Sequence, residues 1–278
     1  MRDVLEAALR AEAAGEPAAM VTVVATTGST PQRAGARMLV FADGRIVGTI
    51  GGGCLEAEMG WRAREAIQGR RPKLVSYDLT PDQAGEDGLV CGGRMQVFIE
   101  PIEGTPCLCL FGAGHVAQPL ARMAKACGFR VEVADDRIKF ANAERFPEAD
   151  AIVVDDFAAA ASKMTLGPSS YAIVVTRGHK GDAEALQAVL GRGLRFVGLL
   201  GSRPKVVHIF AALEERGVSR EELARVHAPL GLEIGAQSPD EIAVSILAEM
   251  IAVRRGVDPA TSRSMKMELP GRMSPERR

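Results

Sequence analysis

The chain has 278 residues, 47% of them apolar and 25% charged, which is the profile of a globular protein long enough for two domains. Its formal net charge is -1, with 34 basic against 35 acidic side chains, so it lacks the basic excess of a nucleic-acid binder. No stretch approaches the roughly 18 uninterrupted apolar residues of a membrane span.

The first ten residues carry Asp3 and Glu6 and lack the basic-then-apolar order of a secretory signal. A cytoplasmic location is expected, where the five cysteines remain thiols; their odd number also argues against a disulfide framework.

Apolar spacing over residues 3–14 predicts a helix ended by Gly15 and Pro17. The Val-rich run 20–25 predicts a strand. A polar loop follows over 26–36, with Gly28, Pro31 and Gly35, and with Arg33 and Arg37 as cations. It could clamp a phosphate or a carbonyl, or be ordinary turn chemistry. Residues 38–41 and 45–47 predict a hairpin joined by Asp43-Gly44. A glycine-rich turn over 48–54 leads into a helix over 55–68. Strands are expected at 73–78 and 95–100, with a loop over 80–93 between them. This region mixes strands and helix without regular alternation.

Residues 101–106 hold two prolines and a glycine and read as a linker. Beyond it, strands at 107–111, 129–134, 151–154, 172–176 and 196–200 alternate with helices at 116–127, 157–163 and 182–190. That alternation predicts a Rossmann-like doubly wound parallel sheet. A last helix begins at Ser238, with Pro239 in its first turn and Glu241 three residues after the cap. The expected organisation is an N-terminal mixed α/β domain over 1–103, a Rossmann-like domain over 104–257 and a loose tail over 258–278.

Phe111-Gly112-Ala113-Gly114-His115-Val116-Ala117 fits the dinucleotide fingerprint with Ala in the third small position. Gly112 permits the turn off the strand and Gly114 permits close approach of a phosphate. Ala117 permits tight helix packing, and the helix N-terminus supplies donors. About twenty residues on stands Asp135-Asp136-Arg137, where an acidic side chain would hold a ribose hydroxyl. His115 lies within the turn and is expected to see the ligand. Thr176 to Asp182 and Gly201-Ser202-Arg203 follow other strands at the same carboxyl edge.

The second motif is Gly48-Thr49-Ile50-Gly51-Gly52-Gly53-Cys54-Leu55-Glu56. Three consecutive glycines cost conformational entropy and are expected where backbone wraps closely around something. Cys54 falls at the start of a helix, a position that favours a thiolate, and a thiolate suits a soft metal. Cys91, beside Gly92 and Gly93, could supply a second thiol if the loops meet. Cys107 and Cys109 share one face of a strand and read as core, as does Cys127. His208 and His227 read as structural.

Together these segments resemble the xanthine dehydrogenase accessory proteins of the XdhC/CoxI family. The resemblance runs through Gly28 to Pro31 with Arg33, Gly35 and Ala36. It continues through Gly48 to Glu56, Cys91 to Gly93, Glu100-Pro101, the fingerprint, Asp135 to Arg137, Gly201 to Arg203, and Gly231 to Ala243. It implies a maturation factor more than a turnover enzyme. Such a factor binds the molybdenum cofactor in its molybdopterin form, promotes exchange of an oxo ligand for sulfur and delivers the product to apo-xanthine dehydrogenase. A cysteine desulfurase is the implied sulfur source, and self-association is compatible with the role.

On this reading the cofactor contacts Arg33, Gly51, Gly52, Gly53, Cys54, Glu56, Gly112, Gly114, His115, Asp135, Asp136, Arg137, Gly201, Ser202 and Arg203. Cys54 faces the metal, Cys54 and Cys91 carry the chemistry, and the two glycine-rich sites face one another. The alternatives are an NAD(P)-dependent oxidoreductase, or a binder of another nucleotide, using the fingerprint, and a chaperone that protects the cofactor without chemistry. Neither nucleic acid nor a membrane is expected as a partner.

Overall fold

The computed structural model describes residues 1–79 and 92–261. The N-terminal elements are α1 (Arg2–Ala14), β1 (Ala18–Thr27), β2 (Arg37–Phe41), β3 (Ile46–Gly48), α2 (Gly53–Gly69), β4 (Lys73–Asp78) and β5 (Arg94–Ile102). The strands form one sheet in the order β3-β2-β1-β5-β4, with every pair antiparallel. Buried Leu55, Met59, Ala63 and Ala66 line one stripe of α2 and pack on Val21, Val23, Val97 and Ile99. Val4, Ala7 and Ala11 of α1 pack against Leu39 and Phe41 in a separate cluster.

The expected linker is shorter than its prolines imply. β5 runs on through Pro101 to Ile102, with Pro101 paired to Ala19. The connection to the next strand is therefore residues 103–106 alone.

The second set comprises β6 (Cys107–Phe111), α3 (Ala117–Ala126), β7 (Arg130–Ala134), β8 (Ala151–Val153), α4 (Phe157–Lys163), β9 (Ser170–Val174), α5 (His179–Val189), β10 (Phe196–Leu199), α6 (Arg203–Glu215), α7 (Arg220–Leu223) and α8 (Pro239–Arg254). The strands form a parallel sheet in the order β10-β9-β6-β7-β8. β6 and β9 are buried along their whole length, as strands covered on both faces must be.

One face packs Leu120, Ala124, Ile246 and Met250 from α3 and α8. The other packs Phe157, Ala160, Leu186, Val206 and Ile209 from α4, α5 and α6, with Cys107 and Cys109 in that core. Cys127 departs from its expected burial: it caps α3 and is exposed. The chain crosses from one side of β6 to the other between β8 and β9. That places the switch crevice at the carboxyl ends of β6 and β9.

Candidate functional site

Three loops meet at one end of the antiparallel sheet. A Cβ on Gly28 would stand 3.1 Å from the Cα of Gly93, and one on Gly93 would stand 2.5 Å from the carbonyl oxygen of Ser29. A Cβ on Gly51 would stand 2.5 Å from Cγ of Pro31. The loops over 28–31 and 92–93 are thus packed backbone to backbone, the 48–54 turn packs on the Pro31 ring, and only glycine fits at these contacts.

Gly51, Gly52 and Gly53 have φ of 137°, 77° and 58°, values that L side chains rarely adopt. The turn wraps around Glu56. Its Oε1 accepts from the N–H of Ile50 at 2.9 Å, Gly51 at 3.3 Å and Gly52 at 2.9 Å, and from the Thr49 hydroxyl. Burial raises the Glu56 pKa, but the hydrogen bonds from Thr49, Gly52, Ile50 and Gly51 outweigh it and hold the carboxyl below its usual value. The amide donors of Ile50, Gly51 and Gly52 are therefore already occupied by an internal carboxylate.

The arrangement holds up Cys54. It is the second residue of α2, exposed, and its thiol is free. Tyr77 is close enough that the charges of Cys54 and Glu58 act, after burial, to push its hydroxyl pKa up. Arg33 is exposed beside the Pro31 loop. Nε of Arg37 is buried without a hydrogen-bond partner among the described residues. Cys91 lies outside the described residues, though its neighbour Gly92 contacts Gly28.

The fingerprint forms a second site. Gly112 has φ of 110°, and a Cβ there would meet the Val175 carbonyl oxygen at 2.5 Å, so the turn lies in the crevice between β6 and β9. Gly114 faces open space and His115 is exposed. The N–H groups of Gly114, His115, Val116 and Ala117 have no acceptor among the described residues, as expected of the first turn of a helix.

Asp135 is turned inward. It is 1% exposed and accepts from the Ala113 N–H at 2.8 Å and from the Arg137 guanidinium at 2.7 and 2.8 Å. Burial raises its pKa, and the bonds from Arg137 and Ala113 overcome that and lower it. Asp136 is the exposed acid of the pair, 3.7 Å from Arg177 across the crevice. Ser202 caps α6, and both it and Arg203 are exposed near Gly201.

Residues 11–78 match the model of the XdhC and CoxI family, and residues 108–250 match that of the XdhC Rossmann domain. The chain belongs to the XdhC and CoxI family. It is 40% identical to Escherichia coli YqeB over 86% of this chain and 44% of YqeB, so it spans less than half of that relative. It is 26% identical to the E. coli molybdenum cofactor insertion chaperone PaoD, over 91% of this chain and 88% of PaoD. The crystal structure of a Bacillus halodurans protein described as a xanthine dehydrogenase aligns with a TM-score of 0.51 and 25% identity. That alignment covers 94% of this chain and 98% of the other.

In this XdhC/CoxI chain the two sites do not face one another, contrary to the expectation from the motifs. The Cys54 turn starts α2, whereas the end of α2, at Gln68 and Arg70, lines the cleft against the parallel sheet. That cleft meets the amino edge of the sheet, at Pro106, Gly128, Ser169 and Arg195, and the fingerprint is at the carboxyl edge. The 17 residues of α2 span about 25 Å and the 5 of β6 about 17 Å. The linker joins the domains at the ends remote from their glycine-rich turns.

Sequence reasoning passed over the residue that ties the carboxyl edge together. Lys205, in the first turn of α6, stands 2.5 Å from Oδ2 of Asp182, at an angle outside hydrogen-bond geometry. Asp182 is fully buried, and its Oδ1 accepts from the Thr176 hydroxyl at 2.7 Å. In the sequence Asp182 closes the Thr176 to Asp182 segment at the carboxyl edge, and no local pattern marks Lys205 as its partner. His227 is structural, as expected: Nδ1 is 2.7 Å from Glu249 and the ring stacks on Phe196.

Proposed function

We propose that this protein binds the molybdenum cofactor and serves the maturation of a xanthine-dehydrogenase-type enzyme. Membership of the XdhC and CoxI family carries the reading, together with the likeness of nearly the whole chain to a molybdenum cofactor insertion chaperone. The free amide donors of Gly114 to Ala117 fit a phosphate such as the pterin carries. Asp136, Arg177 and Arg203 would border it, while Asp135 and Arg137 brace the turn from behind. When bound, the cofactor supplies the molybdenum centre at which an oxo ligand is exchanged for sulfur.

Cys54 fits the soft chemistry of that centre, with Cys91 as the second thiol. Because a small-molecule site is about 10 Å across, one cofactor cannot touch both glycine-rich turns of one chain. Cys54 then acts on a cofactor held by another molecule, either the dehydrogenase or a second copy of this chain. The remaining partner is a cysteine desulfurase, and the setting is the cytoplasm.

Cys54→Ser tests the division of labour. It is expected to leave the cofactor retained after gel filtration unchanged and to lower the yield of sulfurated dehydrogenase at least tenfold. An unchanged sulfuration yield would remove Cys54 from the chemistry.

A second reading, a nicotinamide nucleotide on the same turn, is favoured by the exposed carboxylate of Asp136. It predicts saturable NAD(P)H fluorescence enhancement that Asp136→Ala weakens; no enhancement at millimolar nucleotide would exclude it.

A further inference from the structure

The cleft between the two domains encloses about 480 Å³, a volume typical of a small-molecule site. Its walls include Pro17, Ile67 and Ile102 from the antiparallel domain and Pro106 and Pro168 from the parallel one. It adjoins a second groove of about 670 Å³ lined by Arg70, Arg71, Arg195, Arg254 and Arg255. Across both, five arginines oppose three glutamates, Glu12, Glu100 and Glu103.

Two features mark the cleft as more than a seam. Arg70 follows the end of α2 with φ of 50°, and no other non-glycine residue among those described has positive φ. Glycine is the usual occupant of such a cap, and a side chain there is strained. The backbone cap is closed by the Arg70 N–H to the Ile67 carbonyl at 3.3 Å and the Arg71 N–H to the Ala66 carbonyl at 3.4 Å, while the side chain of Arg70 makes no hydrogen bond or ion pair among the described residues.

Tyr171 lines the cleft from below. Its ring is held between Phe129 and Phe196, at centroid distances of 5.2 and 5.9 Å. Its hydroxyl has no hydrogen-bond partner among the described residues. Burial pushes its pKa up to about 12, with the charges of Arg254 and Arg70 acting the other way, so it stays a donor at neutral pH. Two of the other cations are braced: Arg195 donates to the carbonyl of Arg254 at 2.8 Å, and Arg254 donates to that of Cys127 at 3.1 Å.

We propose that this interdomain cleft binds a small organic phosphate, with the anion on Arg70, Arg254 and Tyr171 and the organic part against Pro17, Ile67 and Ile102. Arg70, Arg195, Arg254 and Tyr171 line one cavity with Glu12 and Glu103, and Pro17, Ile67 and Ile102 give it apolar walls. That combination suits an anion with a ring attached. Because residues from both domains line the site, a bound phosphate would also fix the angle between them. The proposal is independent of what the fingerprint turn binds.

Calorimetric titration of the full chain with phenyl phosphate, inorganic pyrophosphate and phenol tests it. The wild-type protein is expected to bind both phosphates saturably and phenol at least tenfold more weakly than phenyl phosphate. Arg70→Asn keeps a residue that tolerates the left-handed backbone and removes the cation. Tyr171→Phe keeps the ring. Each is expected to weaken phenyl phosphate at least tenfold, with thermal midpoints confirming that both variants fold. Gly114→Asp, which blocks the fingerprint turn, is expected to leave that affinity unchanged. No saturable binding of either phosphate, unaltered affinity in both cleft variants, or loss in Gly114→Asp alone would overturn the proposal.

Discussion

Glu56 shows how a single side chain organises the Cys54 turn. Its carboxylate gathers three backbone N–H groups and a hydroxyl that the left-handed glycines point inward. Glu56→Gln keeps the size but loses the charge, and is expected to destabilise the protein by about 1–2 kcal/mol in urea unfolding at neutral pH. The pH dependence follows from the lowered pKa of Glu56. A carboxyl depressed on folding adds stability that is complete above its unfolded value, about 4.3. That contribution is lost as pH falls from there through the folded value. The variant is therefore expected to lose less stability than the wild type over that acid window. Equal losses in the two would remove Glu56 as the anchor. Asp135 belongs to the same scale: the acid that the fingerprint spacing assigns to a ligand is spent on Ala113 and Arg137, and Asp136 beside it remains open.

Elements that announce themselves locally were legible in the sequence. The Asp43-Gly44 hairpin, the capping box at Ser238 and Glu241, and the strand–turn–helix of the fingerprint all rest on residues within a few positions of one another. α6 is not legible in the sequence, because Gly201, Ser202 and Pro204 look like a turn. Its buried stripe of Val206, Ile209 and Leu213 acquires meaning only against the parallel sheet. The brace between α5 and α6 is equally nonlocal, joining Asp182 to Lys205 across 23 positions of chain. Lys205→Met leaves the buried Asp182 carboxylate without its cation and is expected to cost about 3–5 kcal/mol in urea unfolding. Lys205→Met with Asp182→Asn is expected to recover part of that loss. A single variant as stable as the wild type would show that the pair does not brace the edge.

At the scale of the molecule, each motif spoke for the fold of its own domain. A doubly wound sheet and a separate mixed domain follow from periodicity, and both are present. How the domains are joined does not follow, because it depends on which ends of two sheets the 103–106 connection brings together. The result places the thiol turn and the phosphate turn each at the end of its own domain away from the cleft. Handling of one cofactor by both ends then requires a second molecule.

The central claim is that the protein carries the molybdenum cofactor. Native mass spectrometry of protein purified from a cofactor-producing host measures this directly. The account predicts a bound mass of molybdopterin with its metal, absent when the host cannot make the cofactor. A dinucleotide mass in its place, or bare protein from a host shown to contain the cofactor, would contradict it.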